Sequence, residues 1–426
     1  MLVEFGVKNF KSIRDEQVLS MIASTDKSLE DTHVLKSDGS SPRLLKSAAI
    51  YGPNAGGKSN LLQAFFFMKW NIISRKTPDT FFQGEDYKKH PFFKLDMTSR
   101  NNPSEFEVTY IDEGIRYQYG FSLLRGRVVE EWLLVYKSDK PQKWFHRTVD
   151  EKSGDDDYKF SSYFKGQKLT WQKSTRKDAL FLAVAVDLNS EQLEPVYRWL
   201  RELEILDNYF LSQRIFDPYF FEYERDHKKL LDFLVAADIG ITDIRVKTET
   251  RKVRRRPDDN ERATPELVER EFKRPVFIHQ HDGISEQFEF EEESVGTQRM
   301  FLLAFYIFEV LKRGKILLVD ELENSLHPKL VHFIIRLFNS ADNKKGAQLI
   351  FSTHNTSLLD IKETFRRDQI WFVEKDKSQA TVLYSLADFN ARKDTAVESG
   401  YLTGRYGAIP FVSEFILNGN EDDDGA

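Results

Sequence analysis

The sequence predicts an α/β fold built on a parallel sheet, and three observations carry that expectation. Apolar strands alternate with helices in the first and last thirds of the chain. A glycine-rich turn, Gly52–Lys58, sits between the apolar strand Ser47–Tyr51 and a helix that carries Leu61, Leu62, Phe65 and Met68 on one face. The run Ile316-Leu317-Leu318-Val319 is continuously apolar, as a strand buried on both faces requires, and it ends on two carboxylates, Asp320 and Glu321.

The elements follow in order. Leu2–Phe10 mixes apolar and polar residues at a short period and reads as the first strand. Residues 17–50 read as an irregular stretch leading into Ser47–Tyr51. Residues 105–148 read as an antiparallel meander: Phe106, Val108 and Tyr110 alternate, Asp112-Glu113-Gly114 turns the chain, and Tyr117, Tyr119 and Phe121 alternate again before Arg125-Gly126. Ser153–Asp157 is a polar, exposed connection, and about 188 to 238 reads as helical. Its apolar residues keep no heptad over several turns, which argues against a long coiled coil. Residues 250–274, with Arg251-Lys252-Val253-Arg254-Arg255-Arg256, read as an exposed charged loop. Strands return at 275–281 and 286–292. A helix at about 296–313 precedes Ile316–Val319, and another at roughly 328–340 leads to the strand Gln348–Ser352. These readings divide the chain into a first lobe with the meander (1–185), a helical and charged insert (186–295), a second lobe (296–415) and an acidic tail (416–426).

Bulk properties narrow the function classes. With 426 residues and 40% hydrophobic content, the chain has ample material for a core. Its net charge of −6 gives no overall positive field for nucleic acid, so any such contact needs a local basic patch. It has no cysteine, which excludes disulfides, thiolate zinc sites, iron–sulfur ligation and a thiol nucleophile. There is no signal-peptide pattern at the start and no apolar run of about 18 residues, so the sequence reads as a cytoplasmic protein without a membrane span.

The chemistry concentrates in a few motifs. Gly52-Pro53-Asn54-Ala55-Gly56-Gly57-Lys58-Ser59 matches the phosphate-binding pattern G-x-x-x-x-G-K-[ST]. Glycines let the backbone aim N–H groups at phosphate oxygens, and the following helix presents its positive end to them. In this pattern Lys58 reaches the β- and γ-phosphates of ATP and the Ser59 hydroxyl binds Mg²⁺. Asp320 is placed to hold Mg²⁺ through a water, and Glu321 to orient or deprotonate the attacking water. Ser294-Val295-Gly296-Thr297-Gln298-Arg299 precedes a helix, with Ser294 an N-cap candidate and Gly296 permitting close phosphate approach; alone this is a capped helix. His354, at the end of Phe351-Ser352-Thr353-His354, is positioned to bond the γ-phosphate or the attacking water. His279 and His281 share a strand face beside Asp282, where neutral strand histidines are a commoner use than a metal pair. The basic run Arg251–Arg256 is either a recognition patch or a solvated loop beside Asp258, Asp259 and Glu261.

Taken in this order, the motifs resemble the ATP-binding-cassette (ABC) ATPases of the SMC, RecF and OLD lineage. The resemblance implies a P-loop NTPase of ABC type: a parallel sheet core with an antiparallel β meander lobe and a helical insert. Asn9-Phe10-Lys11-Ser12 looks like the lineage's opening motif near adenine and phosphates, so Asn9, Lys11 and Ser12 join Gly52, Asn54, Gly56, Gly57, Lys58, Ser59 and Asn60 as nucleotide-binding candidates. Ser294–Arg299 is similar to the signature motif, Leu322–Pro328 to the D-loop and His354 to the switch histidine. The Q-loop glutamine has two candidate places, Gln83 and the Phe92-Phe93-Lys94-Leu95 stretch. By resemblance, two copies sandwich ATP head to tail, with Lys58, Ser59, Asp320 and Glu321 from one and Ser294 and Gly296 from the other. Arg366–Lys375 and Tyr401–Pro410 narrow the likeness to RloA/AriA-type anti-phage defence ATPases, AriA being the ATPase component of the PARIS system. That likeness implies a regulatory ATPase working with a separate effector, of Toprim nuclease type, and a phage trigger protein. Without it, Tyr401–Pro410 reads as a glycine-containing turn that closes the fold. The competing function is DNA repair or chromosome maintenance of the RecF or SMC kind. An OLD-type nuclease of its own is disfavoured by the roughly seventy residues after His354. A transporter motor is disfavoured by the lack of a membrane segment and of the usual signature form.

Overall fold

The computed structural model describes residues 1–36, 42–73, 91–206, 227–237, 239–254, 267–389 and 396–410. Its centre is a six-stranded sheet in the order Glu204–Leu206, Ile316–Val319, Gln348–Ser352, Ser47–Tyr51, Ile370–Lys375, Thr381–Ser385. The first five run parallel and the last closes the edge antiparallel. Ser47–Tyr51, Ile316–Val319 and Gln348–Ser352 are buried along their whole length. Continuous apolar sequence is what a strand covered on both faces needs.

Alternate residues of these strands feed two cores. Ala48, Ile50, Ile316, Leu318 and Ile350 pack with Leu61, Leu62 and Phe65 of the helix Lys58–Ile73. Ala49, Tyr51, Leu317, Val319, Leu349 and Phe351 pack with the helices Val295–Arg313 and Pro328–Phe338. The helix after the glycine turn is sandwiched in turn by a second sheet of seven antiparallel strands, in the order Asp156–Phe160, Gln142–Val149, Arg127–Tyr136, Ile115–Leu124, Ser104–Asp112, Leu2–Lys8, Gln17–Ser20. Phe5 stacks on Phe65 at 3.6 Å between ring centroids, and Phe67 meets Phe106 at 5.1 Å. The aromatic-rich sequence thereby fixes that helix, and the loop before it, from both sides.

Four expectations are corrected. Residues 17–50 are structured: Gln17–Ser20 pairs with Leu2–Lys8, Glu30–His33 is a short helix, and Val34–Leu35 pairs with Leu44–Leu45. Asp156 and Asp157 open a strand instead of linking two others. The stretch expected to be helical contains the edge strand Glu204–Leu206 as well as the helices Glu194–Arg201 and His227–Ala236. Arg251–Arg254 belongs to the strand Asp243–Arg254, which pairs along its length with Leu267–His281, so this part of the charged segment is a ribbon, not a loop. Cross-strand pairing satisfies its backbone while charges on both faces stay solvated, as with Lys252 beside Glu269. Arg255, Arg256, Gln83 and the acidic tail lie outside the described residues.

Among the described residues no long coiled coil is present, the longest helix being the 19-residue Val295–Arg313. No helix among them is long and apolar enough to cross a membrane.

Candidate nucleotide and hydrolysis site

Three neighbouring parallel strands end side by side, and each delivers one motif. Ser47–Tyr51 runs into Gly52–Ser59, Ile316–Val319 into Asp320 and Glu321, and Gln348–Ser352, between them, into Thr353 and His354. This carboxyl edge is where open α/β sheets bind ligands.

The glycine loop is shaped by what lies behind it. A Cβ on Gly52 would stand 2.3 Å from the Val373 carbonyl oxygen, and one on Gly57 2.2 Å from Thr381 Oγ1. Gly57 also has φ +120°, where side chains are strained. Thr381 is the backstop. Its hydroxyl donates to the Gly56 carbonyl (2.9 Å) and lies 2.8 Å from Ser12 Oγ, and its N–H donates to the Ser12 carbonyl (2.7 Å). Asn60 Nδ2 donates to Ser12 Oγ (2.6 Å), so the loop, its helix and the opening motif form one hydrogen-bonded unit. The first helical N–H groups have no intrahelical acceptor and suit an anion. Ser59 is half-buried and Asn54 exposed on the loop.

Lys58 is buried, 5% exposed, with its ammonium folded back on the carbonyls of Gly52 (2.9 Å) and Pro53 (3.2 Å). Burial holds its pKa below the ordinary lysine value, while Asp320, Glu321 and Glu323 oppose that shift. A buried cation among backbone donors fits a phosphate group. A serine hydroxyl with an aspartate oxygen is a hard donor set that fits Mg²⁺.

The opening motif divides. Ser12 joins the loop, but Asn9 is directed elsewhere. It is 2% exposed and donates through Nδ2 to the carbonyls of Ser99 (2.9 Å) and Asn102 (2.8 Å), while its Oδ1 accepts the Phe93 N–H (3.0 Å). Asn9 therefore anchors the segment around Phe93 to the opening motif. Lys11 Nζ donates to Gln63 Oε1 at 2.5 Å on the glycine-loop helix.

The carboxylate turn is held tightly. Glu321 has φ +51°, a left-handed conformation uncommon for a non-glycine residue. Three hydrogen bonds over-determine it: its N–H donates to Ser352 Oγ (2.7 Å), its carbonyl accepts Arg299 Nη2 (2.7 Å), and the same carbonyl accepts the Asn324 N–H (3.0 Å). Ser352 Oγ also donates to Asp320 Oδ1 at 2.5 Å, so one hydroxyl positions both acidic residues.

The signature segment begins as the sequence suggests. Ser294 Oγ accepts the Thr297 N–H (3.1 Å) and caps Val295–Arg313. A Cβ on Gly296 would lie 2.8 Å from the Ser325 carbonyl, so the glycine lets the helix start touch the D-loop of its own chain. Val295 beside it is 66% exposed. Arg299 reaches back from this helix to Glu321 and is buried, which holds its pKa below the usual arginine value, while Glu321, Glu323 and Asp320 oppose.

His354 is exposed, and its backbone N–H donates to Glu323 Oε1. Partial desolvation and then Lys58 lower its pKa, while Glu323, Glu321 and Asp320 oppose. The strand histidines stand apart: His279 Nε2 pairs with Glu293 (2.6 Å), and His281 is exposed beside Asp282. No cluster of three metal-ligating side chains exists among the described residues.

Sequence reading missed Thr381, Ser352 and Glu323 as site residues. Ser352 stands inside the quoted switch motif, and Glu323 inside the D-loop, so position alone signals them. Thr381 is more than three hundred residues from the loop it supports, and no local pattern marks it.

Solved structures similar to this chain include the SMC head domain from Thermotoga maritima, 15% identical over 90% of this chain and 98% of that one, with a TM-score of 0.42. A second is an SMC head bound to the C-winged helix domain of ScpA, 14% identical over 90% and 97%, TM-score 0.41. A third is an SMC head with an extended coiled coil bound to the C-terminal domain of ScpA, derived from Pyrococcus furiosus, 13% identical over 90% and 96%, TM-score 0.40. No curated protein matches the chain. Residues 47–360 match the family described as "AAA domain, putative AbiEii toxin, Type IV TA system". That span runs from the strand before the glycine-rich loop to just past His354 and takes in most of the chain, which belongs to this P-loop AAA-domain family.

Proposed function

We propose that this protein binds and hydrolyses ATP between two of its own copies, and that the cycle regulates a separate effector in bacterial anti-phage defence. One observation carries the enzymatic part: the ends of three adjacent strands bring Gly52–Ser59, Asp320–Glu321 and His354 together, and Lys58, Arg299 and His354 all sense the charges of Asp320, Glu321 and Glu323.

In this reading the backbone of Gly52–Ser59 and the Lys58 ammonium bind the phosphates. Ser59 Oγ and Asp320 hold Mg²⁺, which neutralises charge on the β- and γ-phosphates when bound. Glu321, fixed by Ser352 and Arg299, orients water for in-line attack and takes its proton. His354 donates toward the terminal phosphate. The exposed helix start Ser294–Gly296 faces a second copy and completes its site, which makes ATP part of the interface and hydrolysis a means of weakening it.

The defence role has separate support. The family description names an AbiEii toxin and a type IV toxin–antitoxin system. Arg366–Lys375 and Tyr401–Pro410 resemble the RloA/AriA-type ATPases, whose likeness adds a nuclease-type effector and a phage trigger. Purification with the products of neighbouring genes tests this part, and a nuclease that co-elutes in the ATP state is the expected partner.

Calorimetric titration tests the ATP reading. Wild type binds ATP·Mg²⁺ and Lys58→Ala shows no detectable heat of binding. Unchanged affinity in Lys58→Ala refutes the assigned site.

A further inference from the structure

We infer that Lys375, acting through Thr381, is a positioning residue for nucleotide binding. It heads a one-way chain of hydrogen bonds that holds the Gly56 carbonyl to the rear of the loop and so aims the Gly57 N–H at the phosphates. The inference rests on the ATP reading above and deepens it.

The register of one hairpin sets the arrangement. Ile370–Lys375 and Thr381–Ser385 are joined by a turn in which the Asp376 N–H donates to the Ala380 carbonyl (2.9 Å) and the Gln379 N–H to the Asp376 carbonyl (2.9 Å). That closure makes Lys375 and Thr381 direct cross-strand partners, with their side chains on one face. Lys375 Nζ donates to Thr381 Oγ1 (3.0 Å). The acids beside it are engaged elsewhere. Glu374 Oε2 accepts the Ala408 N–H (2.8 Å), and Asp376 Oδ1 accepts the N–H groups of Ser378 and Ala380 (2.8 Å each). Lys375 is half-buried, and burial holds its pKa below the ordinary lysine value while Asp376 opposes. The cation is thus held, at a cost in hydration, against a hydroxyl at the back of the glycine loop.

Counting protons gives the chain its direction. A threonine hydroxyl has one proton to donate and two lone pairs that accept. The Gly56 carbonyl, 2.9 Å away, can only accept, so the Thr381 proton is committed to it. Lys375 can only donate, and it occupies one lone pair. Ser12 Oγ, 2.8 Å away, already accepts from Asn60 Nδ2 (2.6 Å) and gives its proton to the other lone pair. Every bond therefore runs toward the Gly56 oxygen, and the cation at the head polarises the bonds after it. The peptide between Gly56 and Gly57 is planar and trans, so its C=O and N–H point in opposite directions. Holding the oxygen against Thr381 turns the Gly57 N–H to the other side of the loop, where the phosphates lie in the ATP reading. Drawing electrons toward that oxygen also makes the N–H a stronger donor. Position 57 has no room for a side chain here, since a Cβ would stand 2.2 Å from Thr381 Oγ1. Lys375 contacts no nucleotide atom in this scheme and works only through Thr381.

Calorimetric titration of the full chain with ATP·Mg²⁺ tests the relay. Lys375→Met keeps the length of the side chain and removes the cation. Its Kd for ATP is expected to rise about tenfold, with KM rising alongside, kcat falling far less and the denaturation midpoint unchanged. Lys375→Arg, which restores a cationic donor, regains most of the affinity. Thr381→Val removes the hydroxyl at nearly constant shape and weakens binding at least as much as Lys375→Met. Combining the two substitutions weakens binding no further than Thr381→Val alone, because the lysine acts through that hydroxyl. Wild-type affinity in Lys375→Met overturns the inference, and so do additive losses in the double variant. A loss of affinity that comes with a lowered midpoint and that Lys375→Arg does not recover also overturns it, because packing alone explains that. If the wild-type chain binds no ATP, the ATP reading falls and this inference with it. A wild type that binds ATP beside an unaffected Lys375→Met removes the inference alone.

Discussion

Ser352 carries more of the site than its size suggests. Its hydroxyl accepts the Glu321 N–H and donates to Asp320 Oδ1, so it sets the strained backbone of one acid and the orientation of the other. Ser352→Ala leaves the Glu321 N–H without its acceptor, and loss of such a bond is worth about 1 kcal/mol or somewhat more. Steady-state kinetics is expected to show kcat down roughly tenfold with the KM for ATP nearly unchanged; an unaltered kcat would show that the turn holds without it. At this scale the sequence was legible wherever a pattern is local. Lys58, Ser59, Asp320 and Glu321 stand in short motifs whose spacing reflects one turn of backbone. Thr381 was not, because its contact with Gly56 and Gly57 depends on an edge strand folding back from far along the chain. The contacts of Asn9 were hidden for a related reason: its amide donates to the carbonyls of Ser99 and Asn102, some ninety residues along the chain.

The elements around the site are joined by the last described one. The short helix Val397–Leu402 and the turn after it pack against the strand Ile370–Lys375 and the loop beyond His354. Tyr401 lies 5.5 Å from Phe372 and 5.9 Å from Tyr51 between ring centroids, and donates from its hydroxyl to the Ala408 carbonyl (2.9 Å). Tyr51, the residue before Gly52, donates to the Asn355 carbonyl at 3.2 Å, and Thr356 donates to Glu398 (2.8 Å). The late segment thus braces the backs of both the phosphate loop and the His354 loop. Tyr401→Ala removes a large buried ring and is expected to lower unfolding free energy by about 3 kcal/mol or more, read by chemical denaturation; a change below about 1 kcal/mol would mean that the segment packs loosely. Within Tyr401–Pro410, where sequence alone offers a glycine-containing turn, Tyr401 and Leu402 end the helix Val397–Leu402 and the turn follows them. Element type was legible where the apolar period was strong, as in Val295–Arg313 and Gln348–Ser352. The charged hairpin Asp243–Arg254 with Leu267–His281 was partly missed because charge on both faces hides the two-residue period of a strand.

For the whole molecule, the two sheets share one helix, so the phosphate loop is stiffened by the fold itself. One consequence of that packing is a pH dependence of stability. His33 is buried and donates from Nε2 to the Thr364 carbonyl at 3.1 Å, and its pKa is lowered to about 4, by burial first and by Arg366 and Lys46 as well. The unfolded chain binds this proton near pH 6.5 and the folded chain only near pH 4, so stability rises with pH across that window. Above pH 6.5 His33 contributes no pH dependence; between 6.5 and 4 its protonation removes up to about 3 kcal/mol. Denaturation midpoints of wild type and His33→Gln are expected to converge as pH falls, with the variant less pH-sensitive. Parallel curves would place the acid sensitivity elsewhere. The central claim, that Glu321 activates water at a site built from Gly52–Ser59 and Asp320, is tested most directly by phosphate release from ATP by Glu321→Gln. The account predicts ATP bound as in wild type, release slowed by about a hundredfold or more, and the ATP-bound assembly trapped. Normal release from that variant would contradict it.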